Sequence, residues 1–141
     1  MKTFILCTFL MLSGYIIQAQ TDLSHTNKPL RTLLLNTLRV PIEKELKQPV
    51  RFVVDVLKVE GEYAFFRGNT KDAFGKDIDF SKTTYRELLE QGFFDGDATA
   101  ALLKKVNGKW SVMTYVIGPT DVAWANWSDE YHAPAVLFGI D

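Results

Sequence analysis

Two alternating apolar segments meet at Asn107-Gly108 inside the run ATAALLKKVNGKWSVMTYVIGPTDVAWANW, residues 98–127. Asn and Gly tolerate the positive φ angles that a type I′ turn needs at both central positions, so this pair between strand-like segments specifies a β-hairpin. Strands are therefore expected over residues 98–106 and 109–117. The alternation predicts Ala98, Ala100 and Leu102 on one face of the first strand, against Thr99, Ala101 and Leu103. On the second strand it predicts Trp110, Val112, Thr114 and Val116 on one face and Met113, Tyr115 and Ile117 on the other. Gly118-Pro119 then turns the chain into an aromatic segment. Thr120 or Asp121 is expected to cap a helix there, with Asp121, Trp124, Trp127 and Tyr131 on one stripe.

Upstream, Leu30, Leu33, Leu34, Leu38, Ile42 and Leu46 recur at helical spacing after Pro29, a residue suited to a first helical turn. This predicts an amphipathic helix with a sheet packed on its stripe. Pro41 lacks a donor and crowds the preceding turn, which predicts a kink or two helices meeting near Val40. Residues 50–60 follow as a strand apolar on both sides, a pattern expected of a central strand. Gly61-Glu62 turns it into a second strand over residues 63–68, and residues 69–82 are expected as a polar hairpin loop. Thr84 and Glu87 fit a capping box for a short helix through Glu90, stopped by Gly92. Phe93 and Phe94 are expected to fold back onto the core.

Strands joined by tight turns pair antiparallel, and the helix has to bury its stripe on that sheet. The expected fold class is thus α+β: an N-terminal amphipathic helix packed on a curved antiparallel sheet of about four strands. That arrangement resembles the cystatin-like and NTF2-like group, an analogy of fold that carries no function. The Gln-x-Val-x-Gly hairpin of cystatin inhibitors is not matched, because Gln48-Pro49-Val50 precedes the first strand and Phe52 stands where glycine is needed.

The first residues differ from all of this. Lys2 precedes an uncharged, mostly apolar run from Phe4 to Ile17, and Ala19 offers a small residue for cleavage. The run falls short of the roughly 20 apolar residues of a membrane span, so residues 1–19 are expected as a secretory signal peptide. Residues 20–28 are expected as a flexible tether and residues 29–141 as a single domain. The one cysteine, Cys7, lies in the leader. A processed chain would be disulfide-free in the periplasm or outside the cell, with no membrane span and a conventional core. Sixteen basic residues against 17 acidic ones, without a basic cluster, argue against nucleic acid.

The segments Asn36-Thr37-Leu38-Arg39-Val40-Pro41, Tyr63-Ala64-Phe65-Phe66, Ala101-Leu102-Leu103 and Gly118-Pro119-Thr120-Asp121-Val122-Ala123-Trp124 together resemble an uncharacterised family of small secreted bacterial proteins. The Gly-Pro-Thr-Asp-Val-Ala-Trp motif is the most specific part of that resemblance. It implies no assigned activity and so transfers no catalytic residue.

Two readings of the aromatic stripe compete. In one, Asp121 caps the helix and the indoles are core. In the other, Asp121, Trp124, Trp127, Tyr131 and Tyr63 line a ligand pocket in which a sugar or another flat molecule stacks. A desolvated Asp121 could then serve as general base in a small isomerase or dehydratase. No metal or other cofactor is expected. His132 has no companion ligands, His25 sits in the tether, and the pairs Asp77/Asp79 and Asp95/Asp97 match no EF-hand spacing. The serines at 81, 111 and 128 lack a nucleophile motif. The expected function is a non-catalytic binding or envelope-associated accessory module for an unknown small ligand or envelope component, with an exposed sheet face that allows a homodimer.

Overall fold

A computed structural model describes residues 20–139, and the expected signal peptide therefore lies outside the described residues. The described chain is α+β. Strands β1 (Thr21–Asp22), β2 (Val50–Glu60), β3 (Tyr63–Asp72), β4 (Ala98–Val106) and β5 (Lys109–Ile117) form one antiparallel sheet in chain order. Helix α1 (Pro29–Leu46) lies between β1 and β2, α2 (Arg86–Glu90) between β3 and β4, and α3 (Trp127–Tyr131) after β5.

The sheet has five strands, one more than expected, because the segment expected as a tether supplies β1. Thr21 and Asp22 pair with Val59 and Lys58 at the sheet edge. Leu23 is 1% exposed, and the Ser24 hydroxyl accepts the Leu57 N–H at 2.9 Å. One apolar side chain and one buried hydrogen bond thus anchor a stretch whose polarity resembles a tether.

Helix α1 starts at Pro29 and ends in the left-handed Lys47. Leu34, Leu38, Ile42 and Leu46, four apart, form its buried ridge, while Leu33 is 52% exposed. The expected break at Pro41 does not occur, since Pro41 lies inside one continuous helix. Burial of Ile42 and Leu46 beyond the proline anchors the second half. Two side chains clamp it to β2: Arg39 Nε donates to the Val50 carbonyl at 3.2 Å, and Glu43 Oε1 accepts the Val50 N–H at 3.0 Å. Tertiary contacts here outweigh the one hydrogen bond that proline removes.

The β4–β5 turn forms as expected, with φ of 51° at Asn107 and 74° at Gly108. Strand β3 runs four residues beyond its expected end. Thr70 and Thr99 face each other in the buried interior with their hydroxyls 2.7 Å apart, so the polar residues satisfy one another inside the sheet. Helix α2 forms without the expected Thr84 cap. Instead the Thr83 hydroxyl accepts the Tyr85 N–H at 3.2 Å, one residue earlier.

Two β-bulges decide which side chains share a face. In β2, Val54 opposes Gly68 and Val56 opposes Arg67, leaving Asp55 unpaired. In β5, Val112 opposes Leu103 and Thr114 opposes Leu102, leaving Met113 unpaired. Each extra residue reverses the alternation beyond it. On β5, Trp110, Val112, Tyr115 and Ile117 therefore face α1, and Val116 faces away, correcting the alternation expected from sequence. The α1-side core also receives Ile78, Phe80 and Phe94 from the β3–β4 connection. Of the two phenylalanines expected to fold inward only Phe94 does; Phe93 is exposed.

The opposite face carries a second, smaller core of Phe65, Ala100, Leu102, Trp127, Ala133, Leu137 and Phe138. The C-terminal segment thus covers the sheet face away from α1 instead of joining the helix-side core. That accounts for the two-sided apolar character of β3 and β4: each face has its own cover.

Candidate functional site

The helical stripe from Asp121 to Tyr131 does not form. Residues 118–122 follow an irregular, bent course and 123–126 make turns, with the Ala125 N–H on the Val122 carbonyl at 3.0 Å and the Trp127 N–H on the Trp124 carbonyl at 3.1 Å. Helix α3 begins only at Trp127, and its N-cap, Asn126, makes no side-chain cap. Asp121 is exposed and caps no helix, which corrects the expectation of a cap.

The five expected site residues divide into two groups. Trp127 is buried, its ring 6.4 Å from Phe65 and 6.5 Å from Tyr131. The Tyr63 hydroxyl donates to the Tyr131 carbonyl at 3.0 Å, and Lys104 Nζ lies 5.1 Å from the centre of the Tyr63 ring. These three aromatics attach the C-terminal segment to the sheet. Asp121 and Trp124 separate from them and line a cleft of about 170 Å³ with Asp55, Arg67, Gly68, Asn69, Ala98, Thr99 and Pro119.

The sheet builds one wall of that cleft. Arg67 follows Phe65 on the face away from α1, and its guanidinium carbon sits 5.8 Å from the centre of the Trp124 ring. Trp124 is tilted against Phe65 at 6.0 Å, so the indole is fixed between an aromatic of the core and a cation at the rim. Gly68 lies opposite the Asp55 bulge, where a Cβ would come within 2.1 Å of the Val53 carbonyl oxygen. The bulge brings Asp55 to the same cleft. Among the described residues neither Arg67, Asp55 nor Asp121 takes part in an ion pair. Sequence reasoning missed Arg67, Asp55 and Asn69. The one available signal was a glycine after Arg67 within a strand, which often marks a bulge or close backbone approach.

Other polar clusters are already occupied. Lys71 bridges Asp77, at 2.6 Å, and Asp97, to which Asn69 Nδ2 also donates at 2.9 Å. Burial alone would raise the Asp97 carboxyl, but hydrogen bonds from Lys71 and Asn69 outweigh it and hold the group below the usual carboxylate value. Asp79 accepts from the Ser81 N–H at 3.2 Å and caps the 3₁₀ turn Phe80–Lys82. Among the described residues no three His, Cys, Asp or Glu side chains are arranged to hold a metal ion. Glu45 on α1 accepts the Tyr85 hydroxyl at 2.7 Å and also that of Tyr115, fastening α1 to β5 and to the start of α2. Burial, reinforced by the Glu45 carboxylate, raises both phenols above the ordinary tyrosine range.

No protein-family model, curated protein sequence or solved structure matches this chain.

Proposed function

We propose that the chain is an exported, non-catalytic binding or envelope-associated accessory module that holds a small ligand in the Arg67–Trp124 cleft. The observation that carries this reading is the guanidinium held over an anchored indole, with no carboxylate paired to it although two aspartates line the same cleft. A flat apolar surface beside directed donors is the usual composition of a small-ligand site. Exposure of Asp121 favours binding over acid–base chemistry. Export is supported by Lys2, the apolar run to Ile17 and Ala19, and by the lack of any cysteine after Cys7. A cystatin-like or NTF2-like grouping is supported by one long helix laid on an antiparallel meander. None of the helices in the described residues is long and apolar enough to cross a membrane.

The test is a titration of the protein with amino acids, sugars and cell-wall fragments, followed by tryptophan fluorescence and by the Trp124 indole N–H resonance. A saturable response lost in Trp124→Phe and Arg67→Gln, with melting unchanged, supports the cleft. Silence of Trp124 to the whole panel overturns it.

A further inference from the structure

We infer that this cleft recognises a small ammonium–carboxylate zwitterion, an α-amino acid or the same group at the end of a longer chain. The inference rests on the binding role proposed for the cleft and adds the chemistry of its ligand.

Size is the first argument. At about 170 Å³ the cleft falls below the roughly 300 Å³ from which pockets for drug-sized ligands begin. It is comparable with an apolar cavity of about 150 Å³ that admits benzene, so the part of a ligand it encloses has on the order of six to nine heavy atoms. Alanine, serine or threonine fits within it, whereas the cleft, open to solvent on one side, would enclose only part of a pyranose ring.

Charge is the second argument. The lining carries one guanidinium, Arg67, and two carboxylates, Asp55 and Asp121, none engaged in an ion pair among the described residues. A simple anion would suit Arg67 but face two carboxylates, and a simple cation would suit the aspartates but face Arg67. Arg67, Asp55 and Asp121 are all exposed, and a neutral ligand would gain no charge-assisted contact from any of them. A ligand carrying both signs two bonds apart satisfies the set: its carboxylate takes the bidentate guanidinium, and its ammonium donates to the aspartates. Asn69 commits its amide nitrogen to Asp97, which leaves its side-chain carbonyl as a further acceptor for the ammonium. Trp124, Pro119 and Ala98 provide the apolar wall for the ligand's carbon atoms.

Calorimetry and nitrogen-15 NMR on the whole protein test this with alanine and serine, with N-acetylalanine and alaninamide as singly blocked controls, and with γ-glutamylglycine as the same group on a longer chain. The expected result is that the free amino acids bind and shift the Trp124 indole and Arg67 Nε–H resonances. Each blocked form should bind at least about tenfold more weakly, the loss of one charge-assisted hydrogen bond. Arg67→Gln and the double variant Asp55→Asn/Asp121→Asn should lose a similar factor with melting unchanged. γ-Glutamylglycine binding as well as alanine assigns the ligand to a chain end, and binding of alanine alone assigns it to the free amino acid. Equal binding of blocked and free forms, or a response to sugars only, overturns the zwitterion while leaving a binding cleft. Silence of both resonances to every probe overturns the cleft as well.

Discussion

Replacing Gly68 with alanine tests how the Asp55 bulge and the cleft are built. A Cβ at Gly68 would lie 2.1 Å from the Val53 carbonyl oxygen and 3.1 Å from Phe66 Cζ. The obstacle is backbone within the β2–β3 ladder, so no rotamer change relieves it. A closest tolerable approach near 3 Å requires the two strands to part by about 1 Å, an overpacking that costs roughly 3 kcal/mol, at the upper end of the usual range. Alanine also restricts the unfolded chain, which offsets about 0.4–1 kcal/mol of this. The net loss is about 2 kcal/mol, which for a domain of this length lowers Tm by about 8 °C. Gly61→Ala is the control: its φ of +57° also penalises a side chain, but nothing lies within 4 Å of the added Cβ. The left-handed penalty of roughly 1–2 kcal/mol, less the same offset, leaves a cost of about 1 kcal/mol. Thermal unfolding followed by circular dichroism compares the two. If Gly68→Ala melts within 2 °C of the parent, or Gly61→Ala proves the more damaging, the steric account of the bulge is wrong.

Three further outcomes can be stated. Ser24→Ala leaves the buried Leu57 N–H without its acceptor and should destabilise by about 1–3 kcal/mol, measured by urea unfolding; no change would return this segment to a tether. Burial first and the Glu45 carboxylate second raise Tyr85 and Tyr115 above the ordinary tyrosine value of about 10, so both are neutral in the folded protein when unfolded tyrosine begins to ionise. Their contribution is complete below about pH 10 and is lost as pH rises, so absorbance titration should show phenolate signal released together with alkaline unfolding; smooth ionisation of both in the folded state would refute the packing. Asp97 is lowered from 3.8, so it contributes stability above that pH and loses it as acid protonates the group. Asp97→Asn should flatten the fall in stability below about pH 4, and an unchanged acid limb in urea melts would contradict the Lys71 pairing.

The sheet-forming half of this fold was legible because its signals are local. Asn107-Gly108 specified its turn, and the leucine ridge of α1 followed from helical spacing. The bulges were not legible. Asp55 and Met113 are ordinary strand residues by composition, yet each reverses the face of everything beyond it, so the alternation of β5 held only as far as Val112. The same kind of error affected the site. A helical period groups Asp121 and Trp124 with Trp127 and Tyr131, but the bends and turns of residues 118–126 break it, and Arg67 enters the cleft through strand pairing distant in sequence. Pro41 failed as a breaker because the contacts holding α1 come from β2, outside any window around the proline.

The sheet acts as a partition between two apolar compartments of unequal size. Its central strands are covered on both faces, whereas the segment from Trp124 to Phe138 gives its apolar side chains to the smaller compartment alone. A segment seated on the smaller compartment should open at a lower free energy than α1, along the border that carries Trp124. A ligand bridging Arg67 and Asp121 would stitch that border, so occupancy should slow amide exchange in α3 more than in α1.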